Sequence, residues 1–442
     1  MSKKIRLRVA SLLALFMLGA MLSGGSPVAI KTRAQSAGVA PTNTRNASIV
    51  ATSAAVLQET SEIRQLSILR PVKSGAQSRA EIERMIMKNM DEESTPEDLR
   101  ASELALKKLG LVSSDFHLRP FLIKLLTEQV AGYYDPKAQE FFLADWINLD
   151  GQKPVMAHEL THALQDQHFN LRRFEKWPKG DSDAELAAHG LIEGDATLAM
   201  ELYMARNPLR ALAFVKSLEG SGSSSEQIDH APRVLRETLL FPYDQGLTWV
   251  TQLYKRGGWP AVSQAYKELP QSSEQILHPD KYLAREAPVK INLPNISSDL
   301  GANWKRIDYD VNGEWSYFLM LDEYLKSDAE SKRAAAGWGG DRYALFEGPN
   351  AGELVLAQLS DWDSEKDARE FFDAYSKRTW RRYKDAKATE IASNEGGGER
   401  HAWNTSEGNV VIVLRGTRVL ILEGLPDKAD ANALMKKLWQ QN

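Results

Sequence analysis

Residues 155–168, VMAHELTHALQDQH, set two histidines one helical turn apart with a glutamate directly after the first. On a helix that advances about 100° per residue, with His158 at zero, His162 lies at about 40° and Glu159 at about 100°. Met156, Leu160, Ala163 and Leu164 fall between about 140° and 240° on the same wheel. One face is then core and the other carries chemistry. Two imidazoles one turn apart bind a single cation, and the glutamate beside them is angled to reach a water on that cation. The alternative is a polar helix that reads this way by chance.

Zinc held for catalysis takes three protein ligands and keeps one position open. Candidates for the third are His168, Glu185, His189 and Glu193. His168 falls at about 280°, off the ligand face of its own helix. The other three sit in SDAELAAHGLIEGDATLAMELYM (182–204), which is apolar nearly all round and is expected to be a buried helix. Glu193 shares its face with Leu186, Ala196, Thr197 and Met200, where a carboxylate costs several kcal/mol unless it is paired or metal-bound. Glu193 is therefore the expected third ligand. His189, one turn earlier on that face, competes for the place or supports a ligand from behind. Asp195 points about 200° away from Glu193 and is expected to pair with a basic or histidine side chain.

These segments need a frame. The chain has 442 residues, 43% hydrophobic and 26% charged, which suits an ordinary globular protein of two domains plus a terminal extension. A net charge of −4 argues against nucleic acid or an anionic membrane as partner. Lys3, Lys4, Arg6 and Arg8 precede the short apolar run Val9–Leu22, the pattern of a secretory signal, so 1–29 is expected to direct export to a secreted or periplasmic location. The run is short for a membrane span, and no stable span is expected in the mature chain. With no cysteine there is no disulfide, no thiolate ligand and no lipid attached through an N-terminal cysteine.

Residues 30–60, rich in Ala, Ser, Thr and Val, suggest a flexible tether. IRQLSILRPV (63–72) has the composition of a strand. Ser78 and Thr95–Pro96 are helix starts, Gly110 is a helix stop, and 120–130 is a further helix. GYYDPKAQEFFLAD (132–145) is expected to be a β-hairpin turning at Asp135–Pro136, with EFFLAD offered as an edge for an extended substrate. Helices follow to about Glu219, a loop covers 220–227, and helices return. AAAGWGGDRY (334–343) suggests a tight loop joining domains; it lacks the lysine and following helix of a phosphate loop. Past about Pro294 strands and helices alternate, which gives 61–294 as the domain of the HELTH motif and 295–442 as an α+β C-terminal domain.

HELTH, followed some thirty residues later by EGDAT, resembles the gluzincin class of zinc metallopeptidases. Together, QVAGYYDP, HELTHALQDQH, EGDATL, FPYDQGLTWV, GGWPAVSQAY, SSEQILHPDKYL and AAAGWGGDRYALF resemble a largely uncharacterised family of predicted secreted bacterial metallopeptidases, over nearly everything from Ile63 onward. The resemblance implies an α+β fold with a mainly helical, zincin-like domain and a small sheet, Zn2+ on His158, His162 and Glu193, and Glu159 as general base in hydrolysis of a peptide or protein substrate. It departs from the pattern at Thr197, where gluzincins often carry an aspartate that orients a histidine; here the acid is Asp195. An oxyanion donor is sought in His278 or Tyr243. Two other functions compete: a non-catalytic scaffold stabilised by zinc, and a zinc amidase acting on cell-wall peptides.

Overall fold

Small and β-branched residues dominate the first ordered stretch, yet they form a helix. In the computed structural model, which describes residues 42–146, 148–176, 180–220, 226–389 and 398–440, α1 (Thr42–Arg64) buries Ile49, Ser53, Val56, Leu57, Thr60, Ile63 and Arg64. The expected signal at 1–29 and the start of the expected tether lie outside the described residues. From Thr42 the tether is instead this helix, because its small side chains allow close packing against the helix of the HELTH motif. The expected strand 63–72 is also corrected: Ile63 and Arg64 finish α1, and the chain then runs without a strand partner. Side chains satisfy much of its backbone: Leu69 N and Arg70 N donate to Gln167 Oε1, Arg70 O accepts from Gln167 Nε2, and Leu66 O accepts from Ser61 Oγ.

The order continues with β1 (Lys73–Gln77), α2 (Arg79–Glu93), α3 (Pro96–Lys108), α4 (Leu118–Gln129), β2 (Gly132–Asp135), β3 (Glu140–Ala144), α5 (Lys153–Phe169), α6 (Ser182–Ala205), α7 (Pro208–Gly220) and α8 (Arg233–Ala265). Ser78 and Thr95 cap α2 and α3 with reciprocal bonds to Glu81 and Asp98, as their spacing predicts. The hairpin forms as expected, with the Asp135 carboxylate accepting from Lys137 N and Ala138 N in the turn. The expected edge does not. β3 is the middle strand of three, parallel to β1 on one side and antiparallel to β2 on the other, so β2 holds the edge. The loop expected at 220–227 falls mostly outside the described residues.

α6 and α8 cross backbone to backbone at three glycines. A Cβ added at Gly246 would stand 2.3 Å from Gly190 O, and one at Gly194 would stand 2.4 Å from the Gly246 carbonyl. Only glycines allow that contact, and it brings the Glu193 turn of α6 against α8.

Then follow α9 (Ser273–Leu277), α10 (Pro279–Leu283), β4 (Lys305–Asp310), α11 (Gly313–Leu325), α12 (Asp328–Ala335), β5 (Trp338–Glu347), β6 (Leu354–Trp362), α13 (Glu365–Arg382), β7 (Lys387–Ala388), β8 (Glu399–Thr405), β9 (Gly408–Arg415), β10 (Arg418–Leu425) and α14 (Ala431–Trp439). The strands make one antiparallel sheet in the order β4-β5-β6-β10-β9-β8-β7. Both faces are covered. Val410, Ile412 and Leu414 pack in the core that holds Tyr317, Phe371 and Tyr375, while Val411 and Val413 pack with Leu434, Met435 and Leu438. AAAGWGGDRY is not a loop: it ends α12, turns at Gly337 (φ 78°) and begins β5. Its Gly340 permits contact with the Val289 backbone, since a Cβ there would lie 2.4 Å from Val289 O. The α+β C-terminal region is therefore as expected, but one hydrophobic core runs from α1 through to β10. Among the described residues no helix is long and apolar enough to cross a membrane.

Candidate metal centre

α5 begins behind Pro154 and stops at Asn170, which takes the left-handed conformation at φ 56°. It is buried from Pro154 to Asp166, with α6 against one flank and β2 against another. His158 Nε2 lies 3.1 Å from His162 Nε2 and 3.1 Å from Glu193 Oε2, and His162 Nε2 lies 3.4 Å from the same oxygen. Bonds of about 2.0–2.1 Å in a tetrahedral arrangement set ligand atoms about 3.3 Å apart. The three atoms thus form a triangle the size of one tetrahedral face.

The donor set fits zinc: two imidazole nitrogens and a carboxylate oxygen, all at most 3% exposed. Glu193 Oε1 has no hydrogen-bond partner among the described residues, an expensive condition for a buried carboxylate with no cation nearby. Burial pulls His158 below its ordinary pKa. Burial pulls on His162 too, but Glu193 outweighs it and pushes the imidazole up to about 9. Burial would raise Glu193, yet the two imidazoles hold it well below the carboxylate range. Positive charge is drawn to one point between three side chains.

Glu159 also belongs to the cluster, with a carboxylate oxygen within 4.8 Å of ring nitrogens of His158 and His162. Its Oε2 accepts from Tyr134 N at 3.0 Å, on the free side of edge strand β2, and its Oε1 has no partner among the described residues. Burial pushes this carboxyl up to about 8. Tyr134 is fastened twice, because its hydroxyl also donates to Asp166 Oδ2 at 3.0 Å.

Asp195 finds the basic partner expected of it in Arg64, whose Nε and Nη2 lie 2.5 and 3.1 Å from the two carboxylate oxygens. Tyr266 and Gln165 also donate to Asp195 Oδ2, at 2.8 and 3.0 Å. Of the two oxyanion candidates, Tyr243 is the one beside the triangle: its ring is stacked on His158 at a centroid distance of 6.1 Å. His278 is engaged with Glu314 at 2.9 Å. Glu185 and His189 lie two turns and one turn before Glu193 on α6, outside the triangle. His168 bonds Ser67 O, as its position off the ligand face implies.

Gln165, Asp166 and Tyr134 were not singled out by any motif. The helical wheel held a signal for the first two: relative to His158, Gln165 falls at about −20° and Asp166 at about 80°, beside the ligands and beside Glu159 respectively. A second group of ligand-type side chains, Glu274, Glu286 and Asp363, surrounds Lys281.

Residues 302–435 match a family described as a domain of unknown function, DUF8575. The match leaves His158, Glu159, His162 and Glu193 outside it. No curated protein and no solved structure matches the chain.

Proposed function

We propose that this chain is an exported zinc-dependent metallopeptidase of gluzincin type with a zincin-like helical domain, His158, His162 and Glu193 being the ligands and Glu159 the general base. The observation that carries it is the triangle of His158 Nε2, His162 Nε2 and Glu193 Oε2 with edges of 3.1–3.4 Å. A zinc ion held there supplies Lewis acidity and lowers the pKa of a bound water to about 7. Glu159 is anchored through Oε2 to Tyr134 N, so Oε1 is the oxygen that takes a proton from water and returns it to the departing amine of a peptide substrate. Tyr243, packed beside His158, is the donor for the developing oxyanion.

Glu159→Gln is the test. Peptide hydrolysis should fall about 10²–10⁴-fold while zinc stays bound at one per chain. A Glu159→Gln protein as active as the native one overturns the mechanism. A second reading, a metal-stabilised protein without catalysis, is favoured by the near-complete burial of all four side chains. Casein or peptide-library cleavage with and without o-phenanthroline separates the two.

A further inference from the structure

We infer that Gln165, clamped by Asp195 and Arg64, is a positioning residue that sets the tautomer and aim of His162, which makes the last turn of α1 part of the metal centre. The inference rests on the metal-binding reading above. Gln165 Nε2 lies 3.0 Å from Ile192 O and 3.0 Å from Asp195 Oδ2. An amide nitrogen has two hydrogens and only donates, so both are used and the amide has one orientation. Oε1 is thereby left 2.8 Å from His162 Nδ1. An oxygen in that place accepts, so Nδ1 carries a hydrogen, and in the neutral ring that binds a metal the lone pair sits on Nε2, the atom that faces His158 and Glu193.

Asp195 cannot turn away from its part. Arg64 engages both of its oxygens, and Arg64 is itself fixed over the Trp259 ring at 4.4 Å and by Ser263 Oγ at 3.2 Å. Arg64, Gln165 and Asp195 are all fully buried, so every bond in the series is shielded from water and costly to break. His158 has no such tether. Its Nδ1 has no partner among the described residues, and its ring is held by packing against Tyr243. Two ligands one turn apart are aimed by different means.

The experiment measures zinc affinity of the purified full-length chain by chelator competition, with the metal alone as probe. Gln165→Leu should weaken binding about 10–100-fold. Gln165→Glu should also be weak, because two carboxylates then face each other. Gln165→Met keeps the length of the side chain but can neither accept from His162 Nδ1 nor donate to Asp195, and should be weakened likewise. Imidazole nitrogen NMR of the zinc-loaded native protein should show the His162 hydrogen on Nδ1. If native protein binds one zinc and Gln165→Leu binds it equally well, the inference falls and the metal-binding reading stands. If native protein binds none, both fall. If Gln165→Leu does not fold, the nitrogen NMR of the native protein decides: a His162 hydrogen on Nε2 instead of Nδ1 overturns the inference.

Discussion

Among the described residues two groups of metal-ligand side chains stand in this molecule, and only one is built around a lysine. Around Lys281, carried on α10, Glu274 and Glu286 each lie 2.7 Å from the ammonium, and Asp363 completes the ring. One ammonium serves three carboxylates, and the group ties α9, α10 and the end of β6 together. Around His158, His162 and Glu193 no lysine or arginine forms an ion pair among the described residues; the positive charge there is that of His162, and Arg64 pairs with Asp195. Residue types alone do not distinguish the two groups. What distinguishes them is whether the positive charge comes from a lysine or from an imidazole that must release its proton to bind a metal.

The largest effect expected from this difference is on metal-linked stability. Zinc at about 1,000 times its Kd should stabilise the native chain by about 4 kcal/mol, and chelation should remove that gain. In Glu193→Ala the melting temperature should no longer respond to zinc, whereas in Glu286→Ala the response should be intact. A response that persisted in Glu193→Ala and vanished in Glu286→Ala would reverse the assignment of the two groups.

How far the sequence discloses each region follows from the range of the interactions. The ligand face of α5 is set by local helical periodicity, so His158, His162 and Glu159 are legible from spacing, and Gln165 and Asp166 could have been found from the same wheel. Glu193 is legible because a carboxylate on an apolar helix demands a partner. The strands of the C-terminal sheet are plain in runs such as NVVIVLRG, where both faces are buried. Arg64 was hidden because it meets Asp195 across 131 positions and because α1 is built of residues common in linkers. β1, with the sequence KSGAQ, has none of the side chains typical of a strand; its pairing with β3 is a tertiary fact, and it is what moves the sheet edge to β2. The crossing at Gly190, Gly194 and Gly246, which sets the Glu193 turn of α6 against α8, is announced by no pattern of hydrophobic residues.

A smaller effect is expected where the cation is built in. Lys281→Met leaves Glu274 buried beside two other acids. Because Glu286 and Asp363 are partly exposed and can be hydrated, the cost should be about 1–3 kcal/mol, read by urea unfolding. Zinc affinity of the His158 centre should not change. Loss of zinc binding in Lys281→Met would mean that the two groups are coupled and that the contrast between them is false.

The finest test uses pH. Glu274 is pushed up to about 8, chiefly by burial, against an ordinary value of 4.5, with Lys281 opposing the shift. A carboxyl whose folded pKa is raised binds a proton more tightly folded than unfolded. Its contribution is fully present below about pH 4.5 and is lost as pH rises through about 8, at no more than about 1.4 kcal/mol per pH unit. Glu274→Gln removes that titration while keeping an oxygen for Lys281. Native and variant should therefore unfold alike near pH 5, and the variant should gain on the order of 1 kcal/mol relative to native by pH 8, after allowance for the neighbouring charges. Were the ammonium the stronger influence, Glu274 would be ionised throughout this range and the two unfolding curves would stay parallel from pH 5 to 8. The built-in cation would then fully offset the burial of its acids, as a bound divalent ion must do for Glu193.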